Sequence, residues 1–117
     1  DRVLMAVAAA MRSESRAGDV LCRYGGEEFA VGLPGAGVAE ARAYASRVAT
    51  ALASAGVAEG CALTTSAGIA CRTTGATVES LLHEADEALF AAKHAGRNRA
   101  AVWAGGVQVD RAFSPSA

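Results

Sequence analysis

Segments of helical and strand periodicity alternate along this chain, and that alternation predicts an α/β fold, a largely antiparallel sheet flanked by helices. Two further observations support it. The run Arg23-Tyr24-Gly25-Gly26-Glu27-Glu28-Phe29 sets a Gly-Gly pair between two apolar, β-prone segments, the pattern of a hairpin. An apolar content of 52% in 117 residues is enough for one domain with its own core.

Residues 1–15 read as a helix, with Val3, Val7 and Met11 on one stripe and Leu4 and Ala8 beside it. Arg16-Ala17-Gly18-Asp19 breaks that period and leads into a hairpin over 19–33. Its apolar arms are Val20, Leu21, Cys22 and Tyr24 upstream and Phe29, Val31 and Leu33 downstream, with Pro34-Gly35 ending the second. A helix over 37–54 carries Val38, Ala41, Ala45, Val48 and Leu52, and Ala55-Gly56 is expected to close it. From Leu63 to Arg72 a strand alternates Thr65, Ala67, Ile69 and Cys71 with Thr64, Ser66, Gly68 and Ala70, and Gly68 permits close packing.

Thr73-Thr74-Gly75 is a turn. Thr77 is a good N-cap, with Ser80 not expected to complete a capping box. The helix after it, 78–95, is expected to bury Val78, Leu81, Leu82, Ala85 and Leu89, with Gly96 at its C′ position. A strand from Ala100 to Trp103 closes a domain of 1–103. Residues 104–117 form a Gly-, Ser- and Pro-containing tail, expected to be loose at its end. No internal repeat or linker divides the chain.

Eleven Lys+Arg against 12 Asp+Glu, a net charge of −1, argue against a polybasic surface for nucleic acid or membrane. The cysteines, Cys22, Cys61 and Cys71, are odd in number and lack C-x-x-C spacing, so they read as reduced thiols of a cytoplasmic protein. No run approaches the ~18 apolar residues of a membrane span, and no signal peptide is visible. A chain that opens on Asp1 reads as cut from a longer protein.

Two carboxylates directly after a glycine turn stand where backbone can approach a ligand, and such hard oxygens suit Mg²⁺ against a nucleotide triphosphate. The plainer reading of Glu27 and Glu28 is a solvated hairpin end, since adjacent strand residues point to opposite faces. Lys93 and Arg97 would serve any helix C-terminus, and Asp1 any helix N-terminus, through the dipole. Arg16 and Asp19 form an R-x-x-D whose default meaning is a loop salt bridge. Arg47 and His94 read as surface residues.

The run from Arg23 to Phe29 also resembles the signature of diguanylate cyclase (GGDEF) domains, in the variant with Glu at the third position. The match is wider than the motif. Lys93-His94-Ala95-Gly96-Arg97-Asn98 resembles the family's Lys-x-x-Gly-Arg-Asn segment, and Leu81 to Phe90 its preceding helix. Thr64 to Ala70 resembles its sheet-centre strand, and Arg16 and Asp19 stand at the family's R-x-x-D offset from Gly25.

The resemblance implies a fold related to the polymerase palm and adenylyl cyclase cores, with 1–103 as its later two-thirds. It also implies a homodimer that condenses two GTP into cyclic di-GMP and two pyrophosphates, with two Mg²⁺ per active site and Mn²⁺ as the alternative ion. Glu27 and Glu28 would be the catalytic, metal-binding carboxylates, Glu27 assisting deprotonation of the ribose 3′-hydroxyl. Asp1 would read the guanine edge, Gly25 and Gly26 would let the nucleotide lie on the backbone, and Lys93 and Arg97 would meet the triphosphate. Arg16, Asp19 and Arg47 would form an inhibitory product site, Arg donating to guanine acceptors and Asp accepting from its donors.

The family's opening segment, with a further metal-binding Asp and an Asn that reads guanine, has no counterpart in these residues. The chain alone is therefore expected to be inactive, and an unpaired sheet edge is expected to favour self-association. An upstream sensory domain, one that could tether the protein to a membrane, is implied as well. The competing expectation is a receptor module that binds cyclic di-GMP or GTP without turnover.

Overall fold

The computed structural model describes residues 2–25 and 28–113. They form α1 (Arg2–Glu14), β1 (Val20–Gly25), β2 (Glu28–Gly32), α2 (Val38–Ala58), β3 (Ala67–Ala70), α3 (Val78–His94), β4 (Arg99–Trp103) and β5 (Val107–Ala112). β1 and β2 make an antiparallel ribbon, and β3, β4 and β5 a second sheet with β4 at its centre. β4 runs parallel to β3, because α3 crosses over between them, and antiparallel to β5. Pairing is thus largely antiparallel, as predicted, with one parallel exception. No helix among the described residues is long and apolar enough to cross a membrane.

The second sheet lies between two helices, and β4 shows why. Ala100 and Val102 turn to one face with Ile69, against Val38 and Ala41 of α2. Ala101 turns to the other, against Ala88 and Ala92 of α3. This is the two-residue alternation of a strand covered on both sides. Farther along α2, Tyr44, Val48 and Leu52 pack with Met11 of α1 and with Leu21, Phe29 and Val31 of the ribbon. One long helix thereby joins both sheets.

Gly68 is the most tightly enclosed of the described glycines. A Cβ placed there would collide with the Ala85 carbonyl oxygen and the Leu89 amide of α3. That contact also rotates α3 away from its expected face. Ala88 and Ala92 are fully buried, whereas Leu81, Leu82 and Leu89 are half-buried and Val78 is 74% exposed. Small side chains win the seam because the backbones are too close for large ones.

The strand expected over 63–72 shortens to β3 at Ala67–Ala70, and three further expectations at element ends fail for local reasons. α2 runs past Gly56, whose Cβ would lie 2.6 Å from the Cys61 carbonyl oxygen, so that glycine serves packing. Termination falls to Gly60, with φ of 75°. Ser80 does complete a capping box: Thr77 Oγ1 accepts from the Ser80 amide at 3.0 Å, and Ser80 Oγ accepts from the Thr77 amide at 2.9 Å. Finally, 107–112 form β5 instead of tail, because Gly105 and Gly106, with φ of 71° and 156°, turn the chain back onto β4. Residues 114–117 lie outside the described set.

Candidate functional site

The β1–β2 ladder closes on the pair Gly25↔Glu28, and its register shifts between Arg23 and Gly25. That shift places an extra residue, Tyr24, on β1, a bulge of the sort that re-aims side chains beside active sites. Sequence periodicity carries no signal for it. Gly26 and Glu27, between the paired residues, lie outside the described set, as does Asp1.

Glu28 is therefore the described member of the acid pair, and the fold takes it to α3. Its Oε2 lies 3.4 Å from Lys93 Nζ, across 65 residues of sequence, with the two side chains 41% and 36% exposed. Asp86, Leu89 and Phe90 join them around a shallow depression of about 160 Å³. Phe90, 63% exposed, meets the His94 ring edge-on at 4.1 Å. A half-exposed carboxylate is a hard oxygen donor of the type Mg²⁺ takes. Among the described residues no group of three or more His, Cys, Asp or Glu gathers as a metal cluster.

Beyond Lys93 the helix ends in a Schellman turn, with Arg97 N–H donating to the Ala92 carbonyl at 3.0 Å and Gly96 N–H to that of Lys93 at 3.4 Å. Gly96 sits at C′, as predicted. Arg97 and Asn98, which follow, are also left-handed, with φ of 62° and 52°. Asn tolerates that region, whereas for a residue such as Arg it costs roughly 1–2 kcal/mol. Arg97 is exposed, and its guanidinium makes no ion pair among the described residues.

Arg16 and Asp19 stand at the other end of β1, about 20 Å from Gly25 for a six-residue strand. Asp19, its side chain only 2% exposed, accepts from the Arg16 amide at 2.8 Å and lies 3.7 Å from its guanidinium. Arg16 also donates to the Pro34 carbonyl at 3.1 Å. Arg47 pairs with Glu14 at 3.1 Å, two residues before Arg16 in sequence. The three residues of the expected product site thus border one loop, with Asp19 engaged by the loop itself.

The family model for "Diguanylate cyclase, GGDEF domain" matches residues 1–99. This chain belongs to that family. Relatives of the GGDEF domain include the uncharacterised protein YtrP of Bacillus subtilis, 40% identical over 101 residues, covering 85% of this chain and 17% of YtrP. Diguanylate cyclase DgcM of Escherichia coli K12 is 34% identical over 99 residues, covering 85% of this chain and 24% of DgcM. Among solved structures, diguanylate cyclase SiaD of Pseudomonas aeruginosa, in complex with its activator SiaC, aligns with a TM-score of 0.71 and 35% identity. That alignment covers 82% of this chain and 38% of SiaD. The GGDEF chain therefore spans a quarter or less of the curated relatives named here.

Proposed function

We propose that this chain is the substrate-binding part of a diguanylate cyclase, which joins two GTP molecules into cyclic di-GMP and releases two pyrophosphates. The observation that carries the reading is the meeting of Glu28, from the glycine–acid hairpin, with Lys93, from the Lys-x-x-Gly-Arg-Asn segment. Both stand in a chain that the family model matches over 1–99.

Phosphoryl transfer asks a protein mostly for positioning and charge. Lys93, a compact cation, and Arg97, a forked one, would take the triphosphate at the end of α3. Gly25 and Gly26 would let the nucleotide lie against the hairpin backbone, and Asp1 would accept from the guanine edge. Glu27 and Glu28 would hold the metal, their oxygens being of the right hardness. When bound, Mg²⁺, with Mn²⁺ as substitute, supplies positive charge to the phosphates. Glu27 would assist removal of the 3′-hydroxyl proton. Arg16, Asp19 and Arg47 are assigned to binding of product, with Arg16, 60% exposed at its side chain, the readiest donor.

The test uses the full-length protein with GTP and Mg²⁺, with cyclic di-GMP followed by chromatography. Product that disappears in Glu27→Ala is expected. A folded protein that binds GTP and makes no product would leave the receptor reading in its place.

A further inference from the structure

We infer that β5 is a clamp for the turn at 96–98, with Arg42, Asp110 and Phe113 as positioning residues for the phosphate contacts of Lys93 and Arg97. This rests on the GTP reading above.

Three consecutive residues, Gly96, Arg97 and Asn98, have φ of 126°, 62° and 52°. Glycine accepts such backbone and Asn tolerates it, whereas Arg holds it only when its surroundings insist. The Schellman bonds hold the start of the turn. Its far side is held from two strands. Arg99 Nε donates to the Arg97 carbonyl at 2.9 Å, and Phe113 N–H donates to the Asn98 carbonyl at 2.8 Å. The Phe113 bond comes from the residue just beyond β5, whose ring packs on Ile69, Ala100 and Val102.

β5 pairs with β4 along its ladder and also meets α3, yet no residue of the strand is fully buried. Val107 and Val109 are 41% and 40% exposed, and Gln108 is exposed too. Between Ala101↔Val109 and Arg99↔Ala112 the register slips by one residue on β5. Such a bulge re-aims a side chain, and Asp110, which lies within it, meets Arg42 of α2 in a two-pronged pair at 2.9 and 3.0 Å. Asp110 is 25% and Arg42 40% exposed. At the end of β5 that pairs with Arg99, Asp110 holds α2 through Arg42 and Phe113 holds the Asn98 carbonyl, beside the turn that carries Arg97.

The test is made on the full-length protein, with GTP and guanosine affinities read by displacement of a fluorescent guanine nucleotide. Thermal midpoints are read in parallel. Asp110→Asn keeps the shape and removes the charge. It is expected to weaken GTP about 5- to 10-fold, as a coupling of ordinary size, to leave guanosine unchanged, and to move the midpoint little. Arg42→Gln, from the other partner, is expected to reproduce that loss, and it carries the test if Asp110→Asn fails to fold. The exchanged pair Arg42→Asp with Asp110→Arg should recover part of the affinity. On an Arg97→Ala background Asp110→Asn should cost clearly less than in the wild type, because a positioning residue acts through the groups it positions and only Lys93 then remains. A lowered midpoint with an unchanged ratio of GTP to guanosine affinity would overturn the clamp, and so would a loss fully additive to Arg97→Ala. A wild-type protein that binds GTP no better than guanosine would overturn the GTP reading and the clamp with it.

Discussion

Glu28 and Lys93 sit 3.4 Å apart with side chains 41% and 36% exposed, so the pair adds little to stability by itself. Exposed ion pairs contribute about 0.2–1 kcal/mol. Lys93→Ala is therefore expected to leave the melting temperature nearly unchanged, yet to raise the KM for GTP roughly tenfold or more, since charge-assisted bonds to phosphate are the strong ones. Steady-state kinetics beside a thermal melt check both halves, and an unchanged KM would remove Lys93 from the site. Tyr44 makes the opposite case. It is 8% exposed, and its hydroxyl donates to the Met11 carbonyl at 3.2 Å and lies 3.1 Å from Ser15 Oγ, tying α2 to the end of α1. Tyr44→Phe should cost about 1 kcal/mol in urea unfolding and leave catalysis alone. Each member of the Glu28–Lys93 pair was legible as a candidate in the sequence. Their meeting was not, because a bond across 65 residues has no local signature. Arg42 and Asp110, 68 apart, left no trace at all.

Among the elements, Gly68 is the residue that most directly joins one sequence letter to the architecture. With the Ala85 carbonyl and the Leu89 amide already in contact range, Gly68→Ala must push α3 off β3. Overpacking of this kind costs about 1–3 kcal/mol and sometimes more. The expected drop in melting temperature is about 4–8 °C for each kcal/mol at this size. A melt within 2 °C of wild type, roughly half a kcal/mol on that scale, would show that the seam can relax. The alternation of Ala67 and Ile69 with Gly68 made β3 visible beforehand, and the same period placed the hairpin, while helical spacing placed all three helices. What periodicity left out was set by contacts distant in sequence. Gly56 looks like a helix stop until Cys61 is seen against it, and Leu63 to Ser66, strand-like in composition, gain no ladder partner among the described residues. β5 was hidden because Val107 and Val109 alternate over too short a run to outweigh the glycines before them.

At the scale of the whole molecule, the product that the proposed reaction makes is itself two-fold symmetric, and that symmetry constrains the enzyme. One chain carries one Lys93, one Arg97 and one glycine–acid hairpin, which on the proposed reading would make a site for one GTP. Joining two nucleotides, each 3′-hydroxyl to the other's α-phosphate, then asks two copies to face each other, an isologous arrangement. Holding both nucleotides in line is where most of the rate gain should arise, as with any bimolecular step made intramolecular. Specific activity should therefore depend on protein concentration, falling as the full-length protein is diluted through its dimer dissociation constant at saturating GTP. Sedimentation run across the same dilution series should show activity and dimer fraction falling together. A species that sediments as a monomer while keeping full specific activity would end the two-copy mechanism, and with it the division of labour assigned to Lys93 and Arg97 on each face.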